Sequence, residues 1–169
     1  MKVYLEVGKK KVFACAEDWP GWCRSGKDEF AALQNLFDYH PRYAGALRLG
    51  SIKFSQPVSL TELHVTNRYL GDAATDFGAL GVIPDCDRQP LDRSTWDYLA
   101  GILGACWKAL DQAVRLAAGR DLRKGPRGGG RDLESIIVHV FEAEKAYLRS
   151  IGWKVPAPDL VPGTGGTTW

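Results

Sequence analysis

The run Asp18-Trp19-Pro20-Gly21-Trp22-Cys23-Arg24-Ser25-Gly26-Lys27-Asp28-Glu29 constrains this chain more than any other stretch, because strand-like segments lead into it and an amphipathic helix follows it. Gly21 and Gly26 allow backbone angles that a side chain forbids, and Pro20 fixes one φ and removes a donor. Trp19 and Trp22 put large apolar area into a short turn, more than a mere connection needs. Upstream, Val3, Leu5 and Val7 alternate with Tyr4 and Glu6, the period of a half-buried strand, and Gly8-Lys9-Lys10 turns the chain into a second strand over 11–16. Downstream, Ala32, Leu33, Leu36 and Phe37 recur at helical spacing over 28–40, with Asp28 and Glu29 placed to complement the helix dipole. Pro41 is expected to end or kink this helix, and Leu47 to Phe54 and Thr61 to Tyr69 read as further strands of the same sheet. His40 at the helix end and His64 on a polar strand face read as satisfied surface or capping histidines.

The strands, the Pro-Gly turn with a following glycine and the acidic helix start, in this order, resemble the HicB antitoxin family. The resemblance covers only the N-terminal part of the chain. It implies a small strand-rich unit with a packed helix and an antitoxin-like interaction with a protein partner.

A chain of 169 residues, 45% of them hydrophobic, buries a real core as one large or two small domains. The formal net charge of +2, from 22 basic and 20 acidic residues, gives no field that drives nucleic-acid binding. Cys15, Cys23, Cys86 and Cys106 form no CxxC pair, and no basic start with an apolar stretch precedes the first strand, so a reduced, cytoplasmic protein is expected. No apolar run approaches the ~20 residues of a membrane span. Cys23 beside Arg24 reads either as a thiol activated by the cation or as a buried free cysteine.

Gly71 through Asp92 is rich in Gly, Asp and Pro and reads as a connecting loop with short turns. Its Thr75-Asp76-Phe77-Gly78 carries the letters of a kinase magnesium motif, but no glycine-rich ATP loop, strand lysine or catalytic-loop motif accompanies it. Asp72 and Asp76 either cap turns or bind a ligand. From Ser94, a plausible N-cap, Trp96, Leu99, Leu103, Cys106, Trp107, Leu110, Ala113, Val114 and Ala117 form one helical stripe that Gly119 ends, while Asp97, Lys108 and Arg115 take the opposite face. A second helix starts near Asp132, with Leu133, Ile136, Ile137, Val140, Phe141, Leu148 and Ile151 on its apolar side and Gly152 at its end. Such helices tend to pair antiparallel. Between them lies Arg123-Lys124-Gly125-Pro126-Arg127-Gly128-Gly129-Gly130-Arg131, where free N–H groups and cations suit an anion, although the spacing is not that of a Walker A loop and a flexible connector fits equally.

The long helix with Trp107, followed by His139-Val140-Phe141-Glu142-Ala143-Glu144-Lys145-Ala146-Tyr147-Leu148, resembles the first half of a DinB-like four-helix bundle over roughly 93–152. That resemblance implies a divalent metal held by three histidines, of which His139 matches the first. The other two have no counterpart, so no tightly bound metal or other cofactor is expected. On the helical wheel Glu144 falls near the centre of the apolar stripe and His139 about 130° away, so Glu144 is expected to be buried and paired.

These features predict an α+β fold: a small antiparallel sheet with a packed helix, then an antiparallel helical hairpin. The expected divisions are 1–70, strand-rich; 71–92, a connecting loop; 93–152, the hairpin; and 153–169, a flexible tail. Two functions remain open. The first is a small-molecule binding or transforming protein, with Asp76, Glu144 and His139 as catalytic candidates and Trp22, Arg24, Arg127 and Arg131 as ligand-binding candidates. The second is a non-catalytic interaction module. The wide apolar stripes of the two helices further predict a homodimer that rebuilds four helices.

Overall fold

The structure, a computed structural model, describes residues 1–123, 130 and 132–153. It is α+β. Strands β1 (Lys2–Val7), β2 (Val12–Ala16) and β3 (Cys23–Gly26) precede helix α1 (Glu29–Arg48), and β4 (His64–Leu70) follows it. A short helix α2 (Ala73–Phe77), a 3-10 turn at Asp85–Arg88, and the helices α3 (Arg93–Ala117) and α4 (Leu133–Ser150) complete the described elements. The chain divides into two compact units, Met1–Ala113 and Val114–Trp169.

The sheet order is β3-β2-β1-β4. The hairpin β1–β2 and the pair β2–β3 are antiparallel, but β4 runs parallel to β1, so the sheet is mixed rather than wholly antiparallel. The cause is α1. Parallel strands need a long crossover connection, and the helix supplies it by carrying the chain from one edge strand, β3, to the other, β4. A register shift between Val3 and Tyr4 then brings Leu5 opposite Arg68 and Glu6 opposite Tyr69.

Helix α1 starts as expected, with the Asp28 carboxylate accepting from the Ala31 N–H at 2.7 Å. Pro41 does not end it. Proline removes the N–H that would have bonded the Phe37 carbonyl, and the neighbouring His40 Nδ1 bonds that same carbonyl at 2.6 Å. The orphaned acceptor is thereby satisfied, and the helix continues to Arg48. This overturns the strand expected over Leu47 to Phe54. Leu47 continues the spacing of Ala32, Leu36, Tyr43 and Ala44 on the buried face of α1, and the Leu47 carbonyl accepts from both Gly50 and Ile52 as the chain turns away.

The main core lies between α1 and one sheet face, with Val3, Leu5, Val12, Ala14 and Trp22 fully or almost fully buried. Tyr43 stacks on Trp22 with ring centres 6.0 Å apart, and Trp19 meets Phe54 edge-on at 4.7 Å. The Trp-Pro-Gly-Trp turn is thus an anchor of the core, which explains its aromatic weight. Two α3 residues, Ile102 and Ala105, join this core.

Residues 71–92 hold more structure than a connecting loop. Asp72 and Thr75 make a reciprocal capping box at the start of α2. The cap of α3 is Asp92 rather than Ser94, its carboxylate accepting from the Thr95 N–H at 2.7 Å. In the second unit, Asp132 caps α4 as expected by accepting from the Ser135 N–H at 2.7 Å. Gly119 and Gly152 follow their helices at positive φ, the conformation that closes a helix C-terminus.

Candidate functional site

Alternation along the strands gives the sheet a second face. Opposite to α1 stand Tyr4 and Glu6 of β1, Phe13 and Cys15 of β2, Cys23 of β3 and Tyr69 of β4, as their register pairings require. The sequence pattern led to the expectation of a half-buried β1, with Tyr4 and Glu6 on its solvated side. Instead Tyr4, Glu6 and Cys15 are buried, because α2 and the segment after it fold over them.

Glu6 organises that cover. It is fully buried and accepts from the Thr75 hydroxyl, from the Gly81 N–H at 3.0 Å and from the Val82 N–H at 3.1 Å. Gly71 permits the approach, since a Cβ there would lie 2.4 Å from the Thr75 Oγ1. Further along, the Asp85 N–H donates to the Tyr69 hydroxyl at 3.0 Å. A buried carboxylate needs this many donors to offset its lost hydration. All of them come from the protein, which makes Glu6 a structural clamp.

Beside it, among the described residues, lies a pairing of reactive groups. Cys15 and Cys23 are direct cross-strand partners, and their Sγ atoms are 2.7 Å apart. Cys15 is buried and Cys23 is half-buried. The hydrogen bond to Cys15 pushes the Cys23 thiol well above the usual range, burial adds to the rise, and the Arg24 guanidinium opposes it. Tyr4 is held far above the ordinary phenol range by burial first and by Cys15 second. The Cys23 thiol and the Tyr4 phenol are therefore neutral near pH 7. It is the placement of the two sulfurs on facing strands, and not their acidity, that suits thiol–disulfide chemistry.

The residues singled out from the sequence occupy other places. Trp22 is fully buried and donates its Nε1–H to the Leu36 carbonyl at 2.9 Å, so it is core and offers no face to a ligand. Arg24 lies on the α1 side of the sheet with its guanidinium 3.1 Å from the Tyr39 ring centre. Asp76 accepts from the Lys10 N–H at 2.7 Å and ties α2 to the β1–β2 turn. In the second unit His139 is exposed, beside a shallow depression lined by Glu134, Ser135, Val138 and Glu142. Glu144 is half-buried rather than buried, and no hydrogen bond or ion pair holds it among the described residues; partial burial alone raises its carboxyl pKa. Arg127 and Arg131 lie outside the described residues.

Among the described residues no group of three His, Cys, Asp or Glu side chains is placed to hold a metal ion. A concavity of about 370 Å³ in the first unit lies past the end of α1, lined by Arg48, Ser51, Lys53, Ser55 and Gln56 among others. Among the described residues no helix is long and apolar enough to cross a membrane. No family model matches the chain, and no significant match was found among curated proteins or solved structures.

Proposed function

We propose that the chain is a non-catalytic protein-interaction module, antitoxin-like in its mode of action, that works in the cytoplasm as a homodimer. One observation carries this reading: α4 has the sequence of an amphipathic helix, yet none of its 18 residues is buried. Amphipathic helices owe their stability mainly to burial of the apolar face. On its apolar stripe Leu148 is 38% and Ile151 76% exposed while Leu133, Ile136, Ile137, Val140 and Phe141 are half-buried, and Leu116 is exposed in the same unit. In α3, 25 residues long, only Ile102 and Ala105 are buried. Apolar surface on this scale is the mark of an interface. A second copy is the economical partner, since a two-fold axis presents the same stripes to each other and the two copies supply four long helices, in keeping with the DinB-like pattern of this region. The HicB-like pattern of the first unit supports the antitoxin-like reading.

Light scattering at micromolar concentration tests the dimer. The expected mass is twice that of the chain, and Ile137→Asp with Val140→Asp should halve it and raise binding of a hydrophobic dye. A compact monomer that binds no such dye defeats the proposal.

A second reading, a small-molecule binding protein, draws on the concavity lined by Arg48 and Lys53, two cations that suit an organic anion. Thermal-shift titration with small carboxylates and phosphates separates the two. A saturable shift lost in Arg48→Ala with Lys53→Ala favours the small molecule.

A further inference from the structure

We propose that Cys15 and Cys23 form a reversible dithiol–disulfide site that takes a small-molecule disulfide as its oxidant. Their register is the first argument. The Ala16 N–H donates to the Trp22 carbonyl at 3.1 Å, which makes Ala16 and Trp22 a hydrogen-bonded pair. By the alternation of an antiparallel ladder, Cys15 and Cys23 are then a non-hydrogen-bonded pair. Such pairs bring Cα atoms to about 4.5 Å, inside the window of about 4.4–6.8 Å that a disulfide needs. Both side chains also project to the same face, with their Sγ atoms 2.7 Å apart, so closure requires no movement of the strands. Neither thiol has another covalent partner.

Difference in exposure sets the order of events. Cys23, half-buried on the edge strand, is the accessible sulfur, whereas Cys15 is 3% exposed on the neighbouring strand. Deprotonated Cys23 attacks one sulfur of the oxidant RSSR, forming a Cys23–SR mixed disulfide and releasing RS⁻, which takes up a proton. Deprotonated Cys15 then attacks the Cys23 Sγ and expels the second RS⁻. Two thiols have lost two electrons and two protons, and RSSR has become two RSH. The Cys15 hydrogen bond and burial hold Cys23 mainly in its thiol form, only partly opposed by Arg24, so the first step is slow near neutral pH and speeds up as pH rises. The product closes the Trp19-Pro20-Gly21-Trp22 turn covalently and ties the edge strand β3 to the sheet. Cys86 and Cys106 lie elsewhere in sequence and are not paired with either, so they serve as internal controls.

The test uses the full chain carrying Cys86→Ser and Cys106→Ser, equilibrated with reduced and oxidised glutathione, quenched in acid and alkylated after unfolding. Trypsin leaves Cys15 and Cys23 on the one peptide 12–24, cut between Lys11 and Val12 and after Arg24. The expected product is that peptide two hydrogens lighter and unalkylated, restored by dithiothreitol. The constant for its formation should be at least about tenfold larger in the folded chain than in urea, because folding fixes the two sulfurs together. A folded-state constant equal to or below that in urea overturns the proposal. In Cys15→Ser the reaction should stop at glutathione-bound Cys23. If the wild-type chain also stops there, Cys15 is not the resolving thiol and the proposal fails.

Discussion

Replacing Glu6 by glutamine should weaken the first unit far more than its size suggests. The carboxylate accepts from one hydroxyl and two backbone N–H groups, and its two oxygens share that work: Oε1 faces Thr75 and Gly81, while Oε2 faces Val82. Glutamine keeps the shape and one acceptor but puts an NH2 where the other oxygen stood, so a donor meets a donor. Hydrogen bonds to charged groups contribute roughly 1.5–3 kcal/mol each, and a buried unsatisfied donor costs roughly 1–3 kcal/mol. Three such bonds would sum to roughly 5–9 kcal/mol, but Gly81 is exposed and its N–H can turn to water once the segment loosens. The expected loss is therefore about 2–4 kcal/mol. Thr75→Val is nearly isosteric; it removes one donor to Glu6 and the acceptor of the Asp72 N–H, and should cost about 1–3 kcal/mol. Urea unfolding of both single variants and the double variant gives the coupling, expected at roughly 0.5–3 kcal/mol for groups in contact. Amide exchange supplies a local readout, since Gly81 and Val82 should lose protection before β1 does. If Glu6→Gln melts within about 0.5 kcal/mol of the wild type and leaves those two amides protected, the clamp is wrong.

Asp28→Ala removes the side chain that caps α1 and should cost about 1 kcal/mol, read from the urea midpoint at unchanged slope. Trp22→Phe deletes the indole donor to the Leu36 carbonyl and leaves a void beside Tyr43, so a fall in Tm of several degrees is expected, with the fold retained by circular dichroism. Under reducing conditions the raised Cys23 thiol makes the folded chain hold a proton that the unfolded chain releases above about pH 8.5. Stability should therefore be full below that pH and fall as pH rises, and Cys23→Ala should flatten the fall; parallel pH profiles for the two proteins would contradict it. Glu144→Leu should leave the thermal melt unchanged or slightly raised, because the half-buried carboxyl has no partner to lose among the described residues.

What could be read from the sequence was local. The hairpin, the start of α1 at Asp28 and the cap of α4 at Asp132 each follow from side chains a few residues apart, whose chemistry does not depend on the rest of the fold. The strand expected over Leu47 to Phe54 failed because a short apolar run satisfies strand and helix patterns alike, and only contact with the sheet decides between them. Pro41 misled for a related reason. Its cost is real, but the side chain of His40 meets the carbonyl that proline leaves unbonded, a compensation that a rule about proline alone does not contain.

The second face of the sheet was beyond such reasoning on principle. Period-two alternation states that Tyr4 and Glu6 share a face; it does not state whether that face is wet. The answer lies in residues 71–88, whose glycines and aspartates give no periodic signal but whose backbone N–H groups are the donors Glu6 needs. Once Glu6 is paired with Gly81 and Val82, the cover over Tyr4 and Cys15 follows, and Cys15 and Cys23 become a thiol pair in a largely dry layer. Their positions in the sequence show no motif because the pairing is made across strands rather than along one. Asp76, singled out for possible chemistry, serves this same cover by tying α2 to the β1–β2 turn. A carboxylate chosen for catalysis and one taken for granted on a strand thus exchange importance, and the physical reason is the same in both cases: the value of a charged side chain is set by the donors that converge on it.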